Sequence, residues 1–251
     1  GHPVPPAWQS RAQSASERAI TATLVGEQRI ATLEWERARQ ALASTARPDL
    51  LARLELQRCA ALFASLQPLP CPGFDALAAD ASAADHAYSA YLAGQASAAQ
   101  AALLPATQQA LWRYLHTPAA SPAGVLALLT DTRDPLARLV AAAAALQAGQ
   151  ADAQVMVLAS DTASAQGWRR PLMAWLLLQA QRADAAGDTE EAARLRRRIH
   201  LVEHAERRRV ELEHGEHQRN RGQGLLAARK QLDGTVLLAR RPRHDRHPCI
   251  E

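Results

Sequence analysis

Apolar residues recur at helical spacing along most of the chain, punctuated by glycine, proline and short polar clusters. The pattern predicts helices over 8–24, 27–44 and 49–66, the third opened by Pro48 in its first turn. Shorter helices are expected over 75–81, 85–93 and 97–104, then one over 105–116 across a proline kink at Pro105. Asp134 followed by Pro135 reads as an N-cap with proline at N1, opening an Ala-rich helix that runs to Ala148. Further helices are expected over 151–159 and 170–186, and from Asp188 into the end of the chain. Short linkers, about two to six residues, make successive helices antiparallel neighbours.

Four segments share one local shape: Leu24-Val25-Gly26-Glu27, Leu92-Ala93-Gly94-Gln95, Gln147-Ala148-Gly149-Gln150 and Ala185-Ala186-Gly187-Asp188. In each, glycine is expected to end a helix in the left-handed region, with a new helix starting a residue or two later. After Gly26 the small residues Ala31 and Ala38 permit close helix approach, and Trp35 fills the groove between helices. These residues resemble the tetratricopeptide-type helical hairpin, and Ala186-Gly187-Asp188-Thr189-Glu190-Glu191-Ala192 resembles the turn of such a repeat. The resemblance implies stacked hairpins with a concave groove that binds another protein. The period is degenerate: Gly26 and Gly94 stand two repeats apart with no glycine at the intermediate repeat position, and the closing proline is missing at Ala43. The expected fold is therefore all-α, with antiparallel hairpins stacked as a tetratricopeptide-like solenoid or an irregular bundle, and a long charged C-terminal helix.

Composition narrows this further. Of 251 residues, 57 are Ala and 35 Leu, against 13 Ile and Val together. The β-branched and aromatic residues that build sheets are too scarce for an all-β or Rossmann fold. Residues 1–186 carry 14 basic and 14 acidic side chains, so the net charge of +4 arises after residue 186, where six of the nine histidines also lie. The expected organisation is an extended stub over 1–7, a helical body over 8–193, and a charged helix with a strap or tail over 194–251. Beyond Val202 the apolar stripe fades; it returns over 223–232 and 236–239, ahead of Arg240-Arg241-Pro242-Arg243. Such a segment docks back on the body, orders on a partner, or is a disordered tail.

The cysteines bear on compartment. Cys59 sits on a helical pattern and Cys71 in the following Pro-rich loop, a separation that a chain folding back on its helix can bridge. They read either as a disulfide, which requires an oxidising compartment, or as two unrelated thiols. Cys249 is left over, one residue short of a prenylation box. Gly1-His2 reads as an expression scar, and Pro3, Pro5 and Pro6 as a stiff stub. Arg53-Leu54-Glu55-Leu56-Gln57-Arg58-Cys59-Ala60, Cys71-Pro72-Gly73-Phe74 and Tyr91-Leu92-Ala93-Gly94 are similar to segments of Ala-rich exported lipoproteins of Gram-negative bacteria. This second resemblance implies a periplasmic domain tethered to the outer membrane by a lipid on a cysteine preceding Pro3. It implies no catalytic residue.

His200-Leu201-Val202-Glu203-His204 matches the H-x-x-E-H arrangement of inverted zinc peptidases, with His200 and His204 as metal ligands and Glu203 as general base. The competing reading is a solvated helix face. Arg196, Arg197 and Arg198 recur as Arg207, Arg208 and Arg209 three turns later, forming a basic patch that could meet phosphate. Glu190–Arg194, Glu203–Arg207, Arg207–Glu211 and Arg209–Glu213 offer it i,i+4 ion pairs instead. No aromatic follows Trp175 to stack on bases, so nucleic acid is not an expected partner. There is no G-x-S-x-G elbow, P-loop or G-x-G-x-x-G motif. Trp8, Trp35, Trp112 and Trp175 read as core, and Trp168 as the tryptophan to test for exposure. The expected function is a non-enzymatic periplasmic scaffold without cofactor, binding another envelope protein through a helical groove or its C-terminal segment. The alternative is a zinc-dependent hydrolase built on His200, Glu203 and His204.

Overall fold

A computed structural model describes residues 2–67 and 70–239. No strand occurs among them. The chain runs through α1 (Ala7–Val25), α2 (Gln28–Ala43), α3 (Pro48–Ala64), α4 (Pro72–Asp75), a 3-10 turn (Ala78–Asp80), α5 (Ala83–Leu92), α6 (Ala98–Ala101), α7 (Ala106–Leu115), α8 (Pro122–Asp131), α9 (Pro135–Gln147), α10 (Ala153–Gln166), α11 (Arg169–Ala185) and α12 (Thr189–Ala239). It is an all-α fold. It divides into two units, residues 1–199 and residues 200–251, with the boundary inside α12. The first unit takes in the start of α12, where Ala192, Leu195 and Ile199 are buried with Leu176, Ala180 and Ala183 of α11.

Within the first unit, α1 and α2 form a hairpin around Trp35, which packs with Ala15, Ala19, Ala31 and Ala38. Alanine is the residue that lets these two backbones come close enough for one indole to fill the space between them. Gly26 ends α1 at φ 88°, and both its N–H and that of Glu27 donate to the Ala22 carbonyl. Gly94, Gly149 and Gly187 also take positive φ, as their shared sequence pattern predicts. A fifth left-handed glycine, Gly167 at φ 68°, ends α10 seven residues later than expected. Ser160, Asp161 and Thr162 hide the helix from a hydrophobic count. Ser160 and Thr162 are nonetheless buried, with Gln179 donating to the Ser160 hydroxyl at 2.9 Å and Arg138 to that of Thr162 at 3.1 Å.

The remaining differences have local causes. Pro105 stands at the N-cap of α7, so the expected kink is a break between two helices. The helix expected over 75–81 is instead α4 and the 3-10 turn, with Phe74 and Cys71 buried beside α3. Helix α8, unexpected from the sequence, carries the same serine or aspartate N-cap and proline N1 signal as α9, in Ser121-Pro122. Its C-terminal carbonyls are satisfied from outside: the Arg138 guanidinium donates to Leu129 O at 2.9 Å and to Thr132 O at 2.7 Å. One cation thereby joins α8, α9 and α10.

The largest core cluster joins α3 and α5 to α7–α11, with Leu111, Leu129, Leu139 and Trp175 fully enclosed. Helix α3 packs on α9, and α1 on both α3 and α11. Buried polar groups are matched: Tyr91 donates to Gln108 Oε1 at 2.6 Å, and Gln108 Nε2 donates to Ala137 O at 3.0 Å. Trp35 and Trp175 are core, as expected, whereas Trp8, Trp112 and Trp168 are half-buried.

Gly124 supplies a sign test of this packing. An alanine in an ordinary helix interior stabilises by about 1 kcal/mol relative to glycine. Here a Cβ would collide with the Tyr114 ring and hydroxyl, which holds the Ser121 N–H at 3.0 Å. Gly124→Ala is therefore expected to destabilise by about 1–3 kcal/mol. Thermal unfolding checks it, and in a Tyr114→Ala background the same substitution is expected to become neutral or stabilising.

Candidate functional site

From His200 to Gly234 no residue of α12 is buried. The polar residues account for most of this surface, but Leu201, Leu212, Leu225, Leu226 and Leu232 are each 60–73% exposed. At about 100° per residue, Leu201, Ala205, Leu212 and Leu226 fall on one face, while Leu225 and Leu232 fall together on another. The helix continues through Gly215, Gly222, Gly224 and Gly234. Each glycine costs a helix interior about 1 kcal/mol relative to alanine. A single helix with no buried face must offset that by ion pairing or by a partner.

Ion pairs are present, most of them at i,i+3 rather than the expected i,i+4 spacing. Arg209 meets Glu206 at 2.9 Å and also Glu213, and Arg208 reaches Glu211 at 3.8 Å. Arg194 pairs with Glu191, three residues away, rather than with Glu190. Glu203 turns to His200 instead of Arg207, with Oε2 at 3.5 Å from His200 Nδ1. The pairing raises the Arg194 and Arg209 pKa values and lowers that of Glu191, in each case mainly through the side-chain hydrogen bond. Among the described pairs of the expected i,i+4 set, Arg209–Glu213 alone forms.

The two arginine triplets are thus unequal as contact groups. Arg196 pairs with Asp184 across the α11–α12 turn. Arg208 and Arg209 are held by glutamates, whereas the exposed Arg197 and Arg207 form no ion pair among the described residues. The clusters are interleaved with acid and do not make a continuous cationic stripe. His200 and Glu203 are adjacent, with side chains 75% and 44% exposed, and His204 lies on the same exposed stretch. Among the described residues no group of three or more His, Cys, Asp or Glu side chains is placed to hold a metal ion. Arg240, Arg241, Arg243 and Cys249 lie outside the described residues.

In the first unit, Cys59 on α3 and Cys71 at the N-cap of α4 stand at disulfide distance, with Cα atoms 6.0 Å apart and both side chains buried. A cleft of about 550 Å³ lies between α1, α3, α5 and α9, with Leu56, Tyr88 and Leu136 on its walls and the Arg53–Asp85 ion pair at its side. Burial holds the Tyr88 phenol well above its ordinary range, so it faces the cleft as a neutral hydroxyl. No described helix is long and apolar enough to cross a membrane. In comparisons with known proteins, no family model, curated protein or solved structure matches the chain.

Proposed function

We propose that this protein is a non-enzymatic scaffold of the bacterial periplasm, lipid-anchored at the outer membrane in its native form, whose C-terminal helix binds another envelope protein. The observation that carries the reading is the run of exposed leucines on a helix with no buried residue from 200 to 234. Exposed apolar area of this kind on a soluble protein marks a contact surface, and the two faces of the helix call for a partner that covers it from more than one side. The paired cysteines support an oxidising compartment, which in a Gram-negative cell is the periplasm.

The test is photo-cross-linking in the native host from positions 212 and 226, with Ala174 as the comparison position. One envelope protein is expected to be captured from 212 and 226, and the adduct is expected to disappear in a Leu212→Glu, Leu226→Glu double variant whose body unfolds at the unchanged temperature. Adducts formed equally from Ala174, or undiminished in the double variant, would overturn the reading. So would one tightly held zinc per chain that is lost in His204→Ala, since that places a metal centre on the same helix.

A further inference from the structure

A cavity of about 70 Å³ lies in the first unit where α1, α2, α3 and α11 meet, and three guanidinium groups line it: Arg39, Arg58 and Arg170. Its apolar wall is formed by Trp35 and Leu62. The three cations differ in how they are balanced. Arg39 is fully engaged with carboxylates, donating to Glu55 at 2.7 Å and to Glu36 at 2.5 Å. Arg170 has only neutral partners, donating to Gln67 Oε1 at 3.2 Å and Gln28 Oε1 at 3.1 Å. Among the described residues Arg58 forms no ion pair and neither does Arg170. Two of the three charges therefore have no carboxylate opposite them.

The surroundings reinforce this imbalance. Burial lowers the Arg170 pKa, and the like charge of Arg58 lowers it further. Helices α2 and α11 both begin beside the cavity, at Gln28 and Arg169, and neither has a side-chain N-cap hydrogen bond or an acidic residue in its first turn. A helix N-terminus carries about half a positive charge, so these two ends add to the field of the arginines. Glu27, the N-cap residue of α2, lines a separate cleft. The cavity is small, about 70 Å³, which suits one small polyatomic anion rather than an extended ligand.

We propose that this cavity binds a single oxyanion group, the phosphate or carboxylate of a small molecule, held between the guanidinium groups of Arg58 and Arg170. A planar guanidinium presents paired N–H donors that fit two oxygens of such an anion, and Arg170 keeps donors beyond those given to the two glutamines. Binding would relieve the repulsion between the two arginines and link α3 to α11 through the ligand. The site is independent of the exposed helix surface of residues 200–234.

The experiment titrates inorganic phosphate and, separately, sodium acetate into the full chain at constant ionic strength, following the Trp35 indole N–H by nuclear magnetic resonance. That proton donates to Thr23 Oγ1 at 3.0 Å, and both residues line the cavity. A saturable one-site shift is expected with at least one of the two anions, and the stronger binder identifies the oxyanion as phosphate or carboxylate. Arg58→Gln and Arg170→Gln are each expected to weaken binding about tenfold or more, as loss of a charge-assisted hydrogen bond does. Arg58→Lys is expected to retain part of the affinity and Arg113→Gln all of it. A shift that grows linearly with anion concentration without saturating, an Arg58→Gln variant that binds as well as the parent, or equal weakening by Arg113→Gln overturns the proposal. Arg58 is exposed, so its variants keep the test decisive if Arg170→Gln does not fold.

Discussion

Trp175→Ala is expected to lower the unfolding free energy by about 3–5 kcal/mol, the range for deleting a large aromatic from a closed core. Trp175 is fully buried in the largest cluster, and its indole Nε1 donates to Ala64 O at 3.1 Å across 111 residues of chain. Ala64 is the last residue of α3, and the N–H groups of the next three residues turn back to Leu62 and Phe63 instead. The tryptophan thus supplies the donor that an orphan helix-terminal carbonyl lacks. It also stands in the hydrogen-bond network of Gln179, which donates to Trp175 O, Met156 O and Ser160 Oγ and so ties α11 to α10. Two contributions can be separated. Trp175→Phe keeps most of the apolar contact but leaves the Ala64 carbonyl buried and unmatched, and is expected to cost about 1–3 kcal/mol from that term. Urea denaturation followed by circular dichroism measures both variants. A Trp175→Ala loss below about 1 kcal/mol would mean that α3 and α11 are not joined as described.

Reducing the protein is expected to lower its stability by about 3 kcal/mol, the chain-entropy value for a loop of this size. Cys59 and Cys71 are 12 residues apart and at disulfide distance, so a bond between them closes the loop between α3 and α4. Gly73, in the α4 turn that follows Cys71, lies against the Glu55 carboxylate, where a Cβ would collide with Oε2. Glu55 in turn binds Arg39 at 2.7 Å, so the loop reaches the wall of the arginine-lined cavity through one carboxylate. The expected result is a melting temperature that falls several degrees with dithiothreitol in the parent and does not respond to it in Cys59→Ala, Cys71→Ala. Equal melting temperatures with and without reductant in the parent would show that the two sulfurs are not bonded in solution. Protein taken from its native host with both thiols free would in addition count against export.

The elements that could be read in advance were those whose signals are local. Gly26, Gly94, Gly149 and Gly187 mark helix ends by the backbone conformation they alone adopt cheaply, and all four take positive φ. Asp134-Pro135 marks the start of α9 because its side chain accepts from Ala137 N–H at 2.8 Å within one turn. Helix α8 is not expected from the sequence, although Ser121-Pro122 carries the same signal as Asp134-Pro135. Helix α10 was cut short at Ser160 because a polar residue looks like a surface residue until its partner is known. Its partner is Gln179, nineteen residues away. The candidate chemistry divides in the same manner. His200, Glu203 and His204 were visible as a spacing on one helix, and Arg196–Arg198 and Arg207–Arg209 as repeats on one side. Arg58 and Arg170 were not, because residues 112 positions apart meet only when α3 and α11 pack together.

What the sequence determined by itself was the class and much of the punctuation: an all-α chain, its left-handed glycines, its Ala-lined hairpin around Trp35, and a cysteine pair separated by a span that can close. These follow from intrinsic propensity, caps and short-range geometry, which act within a few residues. Only the tertiary structure decided which polar residues are interior, where α12 passes from buried at Ile199 to exposed at His200, and that two arginines face one cavity without a carboxylate. Burial and electrostatic balance are sums over neighbours brought together by packing, and no window along the chain contains those neighbours.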